Sequence, residues 1–145
     1  MISPQDIVSL AKINTSCVSM YLPTHRFGAG TRSDANHLNS VLKDASHQLR
    51  TRGISASVAE TILNPFRALS DHEPFWQHQN ESLAMFGSPH FWVHYSLPQP
   101  VREQLVVNDI FYLRQLAPFL HGNGAFHILA LSQNSVKLFK ADQYS

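Results

Sequence analysis

The sequence predicts a mixed α/β domain of the α+β kind: a mixed β-sheet covered by helices, with a helical hairpin after the first strand. One long segment repeats apolar residues at helical spacing, whereas the second half holds short, bulky runs typical of strands. The 145 residues, of which 43% are hydrophobic and 14% charged, suffice for a buried core and argue against a disordered chain.

The N-terminal part of the chain is predicted to form a short helix, a strand and a loop. Ser3 can cap a helix whose first residue is Pro4, a position that suits proline. Cys17–Leu22 is a β-prone run that ends at Pro23, because proline cannot donate to a strand ladder. Thr24–Arg32, which holds two glycines, is predicted to be a loop.

The helical hairpin is the clearest feature of the sequence. Its first helix follows a polar start at Ser33 and stops at Gly53, since glycine commonly ends helices. The second helix is predicted to begin at Ser57, with Glu60 completing a capping box and Pro65 kinking or splitting it. Few residues separate the two helices, so they should pack against each other. The apolar stripe of the first helix consists of Leu38, Val41, Leu42, Ala45 and Leu49.

After Pro74 the hydrophobic pattern changes from that of helices to that of strands. Two bulky runs, Leu83–Phe86 and Phe91–Tyr95, flank Gly87–Pro89 and together predict a β-hairpin. A short helix is expected over Phe111–Leu120. The remaining strand candidates are Gln104–Asn108, Ala125–Leu131 and Val136–Phe139.

Composition and targeting signals indicate a cytoplasmic protein. The single cysteine, Cys17, excludes an intrachain disulfide and fits a reducing compartment; its apolar setting predicts a buried, inert thiol. The sequence shows neither a signal peptide nor an apolar run long enough to span a membrane, so no membrane partner is expected.

No catalytic centre, metal site or cofactor is predicted. His90 and His94 have the spacing of zinc ligands on a helix, but their neighbours indicate a strand. Four strand residues separate two side chains by roughly 13 Å, too far to share one ion. Pairs of carboxylates and nucleophile motifs are likewise not recognisable, and the domain is therefore expected not to be an enzyme.

Basic residues are concentrated in the first half of the chain. Residues 1–70 hold seven Lys and Arg against four Asp and Glu, whereas residues 71–145 hold four against six. Phosphate or RNA is thus expected to bind, if anywhere, at the loop after the first strand and at the tip of the helical hairpin. The candidate RNA- or phosphate-binding residues are Thr24, His25, Arg26, Arg32, Arg50 and Arg52.

Two other functions remain open from the residues alone. The same cations could simply be solvated, in which case the chain is a protein-interaction or structural domain. Gly28 and Gly30 lie between a strand and a helix, as in dinucleotide-binding loops, but Ser33 replaces the third glycine, so a small-ligand or nucleotide site is the weaker alternative. Exposed strand edges could also pair two copies of the chain into a homodimer.

Four segments, in order, resemble the N-terminal region of the bacterial archaeo-eukaryotic release factor family, the bacterial relatives of the class-one release factor of archaea and eukaryotes. The likeness extends over nearly the whole chain and rests on strand ends rather than on catalytic motifs. The segments are Cys17–Arg26, Phe75–Gln79, Ser82–Phe86 and Ala130–Asn134.

The resemblance implies a non-catalytic N-terminal domain over residues 1–124 and the truncated start of a middle domain over residues 125–145. It also implies an association with the ribosome, in termination, rescue or dormancy. The NIKS and YxCxxxF motifs that read stop codons are absent from the sequence, as is the GGQ tripeptide that promotes peptide release. No codon-reading or hydrolytic residue is therefore carried over.

Overall fold

A four-stranded antiparallel sheet lies between two layers of helical segments in the computed structural model, which describes residues 4–24, 30–76 and 81–119. The α+β class and the helical hairpin after the first strand are confirmed. The elements are α1 (Pro4–Ala11), β1 (Cys17–Pro23), α2 (Gly30–Thr51), α3 (Ala56–Ser70), α4 (Glu73–Trp76), β2 (Ser82–Ser88), β3 (Phe91–Leu97), β4 (Gln104–Asn108) and a 3₁₀ helix (Arg114–Phe119).

The strands are arranged in the order β3-β2-β1-β4, and each neighbouring pair is antiparallel. A mixed sheet was expected, but the described strands include no parallel pair. The reason is the helical hairpin: a single crossover helix would carry the chain back to the starting end of β1, whereas α2 and α3 together bring it back to the end at which β1 finishes, so β2 runs antiparallel to β1. β3 and β4 are the outer described strands, and the homodimer at such edges stays a prediction.

The helices α2, α3 and α4 cover one side of the sheet, called here the helical face. The stripe predicted for α2 is confirmed as buried. It packs with α3 against alternate residues of the strands, as the two-residue period of a strand requires. This core contains Val18, Met20 and Leu22 of β1, Leu83 and Met85 of β2, Val107 of β4, and Ala59, Ile62, Leu63 and Phe66 of α3.

The other side of the sheet, called here the opposite face, is covered by shorter elements. Residues of α1 pack there with the 3₁₀ helix and the chain that precedes it. The strand residues on this side are those that alternate with the first set. This second core contains Ile7 and Leu10 of α1, Cys17 and Tyr21 of β1, Ala84 and Phe86 of β2, and Phe111, Leu113 and Leu116. The predicted burial of Cys17 is confirmed.

Two predicted helix starts are wrong. α2 begins at Gly30, so the last three residues assigned to the loop are helical. The N-cap of α3 is Ser55 rather than Ser57, and its hydroxyl accepts a hydrogen bond from the Val58 backbone N–H at 3.3 Å. Pro65 does not split α3, whose apolar side is held in the core on both sides of the proline.

Two further boundaries differ in the second half. The turn between β2 and β3 is Pro89–His90, because Gly87 and Ser88 belong to β2. The helix expected over Phe111–Leu120 is a 3₁₀ helix that starts only at Arg114. The short helix α4 was not predicted. Gln104–Asn108 is confirmed as a strand, and the two strands predicted after residue 124 lie outside the described residues.

No described helix is both long and apolar enough to cross a membrane.

Candidate nucleic-acid interface

Of the residues predicted at the loop after β1, Thr24 is the one whose side chain the structure describes. Thr24 is only 8% exposed, and its backbone N–H extends the β1–β2 ladder by donating to the Glu81 carbonyl at 3.0 Å. His25 and Arg26 lie outside the described residues, as do the first two residues of the Gly28–Gly30 loop. Arg32 occupies the first turn of α2.

The other two predicted cations lie at the far end of the same helix. Arg50 is exposed in the last turn of α2, and Arg52 follows the helix directly. Eighteen residues separate Arg32 from Arg50, which at 1.5 Å per residue is about 27 Å. The loop and the hairpin tip are therefore two separate places, and α2 is the element that connects them.

Arg52 is partly neutralised by an acidic neighbour. Its Nη2 lies 3.3 Å from Asp109 Oδ1, just after β4. Cys17 lies close to both charges and donates a hydrogen bond to the Asn108 carbonyl at 3.4 Å. Burial raises the pKa of this thiol to about 12, with a smaller contribution from Asp109. The thiol is thus protonated at neutral pH. Because Asp109 already pairs with Arg52, this arginine is less available to a phosphate than Arg50.

A groove of about 430 Å³ lies between α2 and α3. It is called here the α2–α3 groove, and it is lined by Asn39, Leu42, Lys43, Ser46 and Arg67. Leu42 forms the buried floor, whereas Lys43 is exposed at the rim. Two cations and two neutral polar side chains thus face one depression, a combination that suits an anion.

Lys43 and Arg50 continue this surface along α2. Seven residues correspond to nearly two full helical turns, so the two residues lie on the same side of the helix. No ion pair is recorded for either among the described residues. Their charges are therefore available to a partner.

Arg67 is held in place on the α3 side of the groove. Its Nη1 lies 2.5 Å from Glu60 Oε2, and both side chains are substantially exposed. An exposed pair of this kind contributes little to stability. Its effect is to fix the guanidinium beside Lys43 while leaving the groove with one unneutralised cation.

The residues that sequence reasoning missed are Lys43, Arg67 and the two polar groove residues. A signal for part of this set exists, because Asn39, Lys43, Ser46 and Arg50 follow one another at intervals of four, three and four residues. The position of Arg67 beside them depends on how the two helices pack, which the spacing does not reveal.

The described residues contain no group of three His, Cys, Asp or Glu side chains that could hold a metal ion together. His94 lies in β3 and His90 in the preceding turn, so the pair is not on a helix. Burial lowers the pKa of His94, which is therefore neutral at pH 7.

Neither the protein-family models nor the curated protein sequences contain a match to this chain.

Proposed function

We propose that this chain is a non-catalytic RNA-binding domain that associates with the ribosome, as part of a release-factor-like cytoplasmic protein. The observation that carries the RNA-binding part is the α2–α3 groove, together with its continuation to Arg50. The resemblance of four segments to the bacterial archaeo-eukaryotic release factor family supports the association with the ribosome.

The charge distribution supports a phosphate backbone as the partner rather than a specific base sequence. Lys43 and Arg50 carry no ion pair among the described residues, whereas the third cation at the groove, Arg67, is already paired with Glu60. Contacts of this type hold nucleic acid through counterion release, which makes affinity depend steeply on salt. The proposed surface keeps Arg50 of the hairpin tip and leaves out Arg52, which Asp109 engages.

The test combines a double variant with a salt titration. Lys43→Ala/Arg50→Ala should weaken binding of a fluorescein-labelled single-stranded RNA of about 12 nucleotides, measured by anisotropy. Removing two cations should reduce the slope of log affinity against log salt by about 1.4, at ~0.7 per contact for single strands. Co-sedimentation of the double variant with ribosomes at low salt should fall in parallel.

The matched control is Lys12→Ala, which removes one exposed cation at the end of α1 on the other side of the sheet. It should leave the slope and co-sedimentation unchanged. If the double variant binds like wild type, the α2–α3 groove is not the contact surface. If wild type binds neither RNA nor ribosomes, the chain is instead a protein-interaction or structural domain.

A further inference from the structure

Three aromatic rings meet at the outer strand of the helical face. Trp92 and His94 lie on the same side of β3, and Phe75 of α4 packs beside them. The ring centroids of Phe75 and His94 are 5.2 Å apart at 86°, and those of Trp92 and His94 are 5.9 Å apart at 49°. All three side chains are only partly buried. They are called here the aromatic platform.

The Trp92 ring of the platform packs against the core of the helical face. The buried ring of Phe66 lies 4.5 Å from the Trp92 ring, centroid to centroid. Gly87, the cross-strand neighbour of Trp92, makes this contact sterically feasible. A Cβ at that position would lie 2.6 Å from Phe66 Cε1, so only glycine lets the phenyl ring approach the sheet there.

The third ring, Phe75, packs against a neighbour that a hydrogen bond anchors. Trp76 of α4 is buried, and its indole N–H donates to the Leu69 carbonyl at 2.9 Å. The neighbouring Phe75 contacts the Trp76 ring at 5.0 Å and is thereby positioned over β3. Phe75 and Trp92 are thus both packed against the core of the helical face, and contacts of this kind reduce the side-chain freedom that binding would cost.

The chemistry of the platform favours a flat, uncharged ring as its ligand. The strand sequence Phe91–Leu97 contains no Asp, Glu, Lys or Arg, and His94 is neutral at pH 7 because burial lowers its pKa. Aromatic side chains stack nucleobases with little regard to base identity, since every base has a π-face.

The platform and the basic surface are separated by a single helix. Phe66 and Arg67 are consecutive residues of α3: the first contacts Trp92, and the second lines the α2–α3 groove. A helix with its side chains is about 10–12 Å across, a width that a few nucleotides of extended RNA can span.

We propose that the aromatic platform stacks an unpaired base of single-stranded RNA whose phosphates lie in the α2–α3 groove. This inference rests on the proposed function, because it assumes RNA in that groove. In this proposal β3 recognises an unpaired base and α2 attracts the phosphate backbone. The two roles can be tested separately.

The test compares Trp92→Leu with Tyr95→Leu, which makes the same change on the same strand but on the opposite face. Loss of one stacked base should weaken binding of the single-stranded RNA about 5- to 150-fold, while the salt slope stays that of wild type. Tyr95→Leu should bind like wild type, and Trp92→Phe should retain most of the affinity. Thermal unfolding of each variant shows whether it is folded.

Two measurements on wild type keep the test decisive even if Trp92→Leu is unstable. RNA should quench the fluorescence of Trp92, whereas Trp76, only 2% exposed, should report little change. An abasic oligonucleotide of equal length should bind wild type as weakly as Trp92→Leu binds intact RNA.

Absence of quenching, or equal binding of intact and abasic RNA, would overturn the platform and leave the groove intact. Failure of wild type to bind any RNA would instead overturn the proposed function and the platform together.

Discussion

The two faces of the sheet are covered in different ways. On the helical face, α2 and α3 have 22 and 15 residues, and regular helices satisfy most of their own backbone groups. On the opposite face, α1 has eight residues and the 3₁₀ helix six. Such short segments leave more backbone groups to be paired from elsewhere.

On this face, side chains also pair backbone groups of the chain that connects these segments. The Tyr21 hydroxyl donates to the Tyr112 carbonyl, and the Tyr112 N–H donates to Ser19 Oγ at 2.8 Å. Gln115 bonds both the N–H and the carbonyl of Arg102, each at 2.9 Å. On the helical face, bonds of this kind stay within a helix or join neighbouring helices, such as that from Trp76 to the Leu69 carbonyl. The difference is that polar side chains tie the connecting chain to the sheet on the opposite face, whereas on the helical face they act inside the helical layer, and the outward side chains of α2 form the basic surface.

Alkaline pH should expose this difference most strongly, because three weak acids lie on the opposite face: Cys17 and Tyr21 are buried, and Tyr95 is partly buried. Burial raises the pKa of Cys17 and of Tyr95 to about 12, and raises that of Tyr21 above its ordinary value. In the unfolded chain the thiol ionises near pH 9.0 and a phenol near 10.0. Between those values and pH 12 the unfolded state loses protons that the folded state keeps, so stability is full below about pH 9 and falls as the pH rises.

The measurement is the urea midpoint of unfolding at intervals from pH 7 to pH 11. Cys17→Ala removes one of the three acids, so its midpoint should fall less steeply above pH 9 than that of wild type. Tyrosinate absorbance at the same pH values should increase together with unfolding for the buried phenols. A midpoint that stays constant to pH 11 would show that the opposite face does not bury these acids.

The sequence predicts the elements of both faces better than it predicts their junctions. Long segments with helical periodicity, such as α2, and β-prone apolar runs, such as β1, fit only one type of secondary structure. Gly87 is different: next to Ser88 and Pro89 it indicates a turn, yet it pairs within the sheet as part of β2, and it is a glycine because the Phe66 ring occupies the space of a side chain. Ser55 and Ser57 carry the same hydroxyl, so the sequence does not show which of them caps α3. In the structure the cap is Ser55, which follows Gly53, a residue with a φ of 89°.

Part of the candidate site could likewise be predicted from the sequence, and part could not. The alignment of Lys43 with Arg50 depends only on helical spacing and was available from the sequence. The pairing of Arg52 with Asp109 joins residues 57 positions apart, and the approach of Arg67 to Lys43 depends on the packing of two helices. Contacts of this kind arise from tertiary structure, which local patterns do not encode.

Removing the Tyr21 hydroxyl tests whether side chains truly support the opposite face. Tyr21→Phe keeps the ring that packs edge-on against Phe86 but leaves the Tyr112 carbonyl without its donor. An acceptor left unpaired in a buried setting costs about 1–3 kcal/mol, which urea denaturation can measure. Tyr95→Phe is the control, since no hydrogen bond is recorded for that hydroxyl, and it should be nearly neutral. Equal effects of the two variants would contradict the role assigned to Tyr21.

Ser55→Ala makes the corresponding change on the helical face and should have the smallest effect. The Val58 N–H that Ser55 caps is exposed, so water replaces the hydroxyl, and loss of the cap should cost about 1 kcal/mol. Ser57→Ala, in the first turn of the same helix, should change stability by less than about 0.5 kcal/mol, because its hydroxyl is not the cap. The free energies of unfolding of both variants come from urea titrations under the conditions used for Tyr21→Phe. If Ser55→Ala lowered the free energy of unfolding more than Tyr21→Phe, the N-cap of α3 would matter at least as much as the Tyr21 hydrogen bond. The distinction between the two faces would then be wrong.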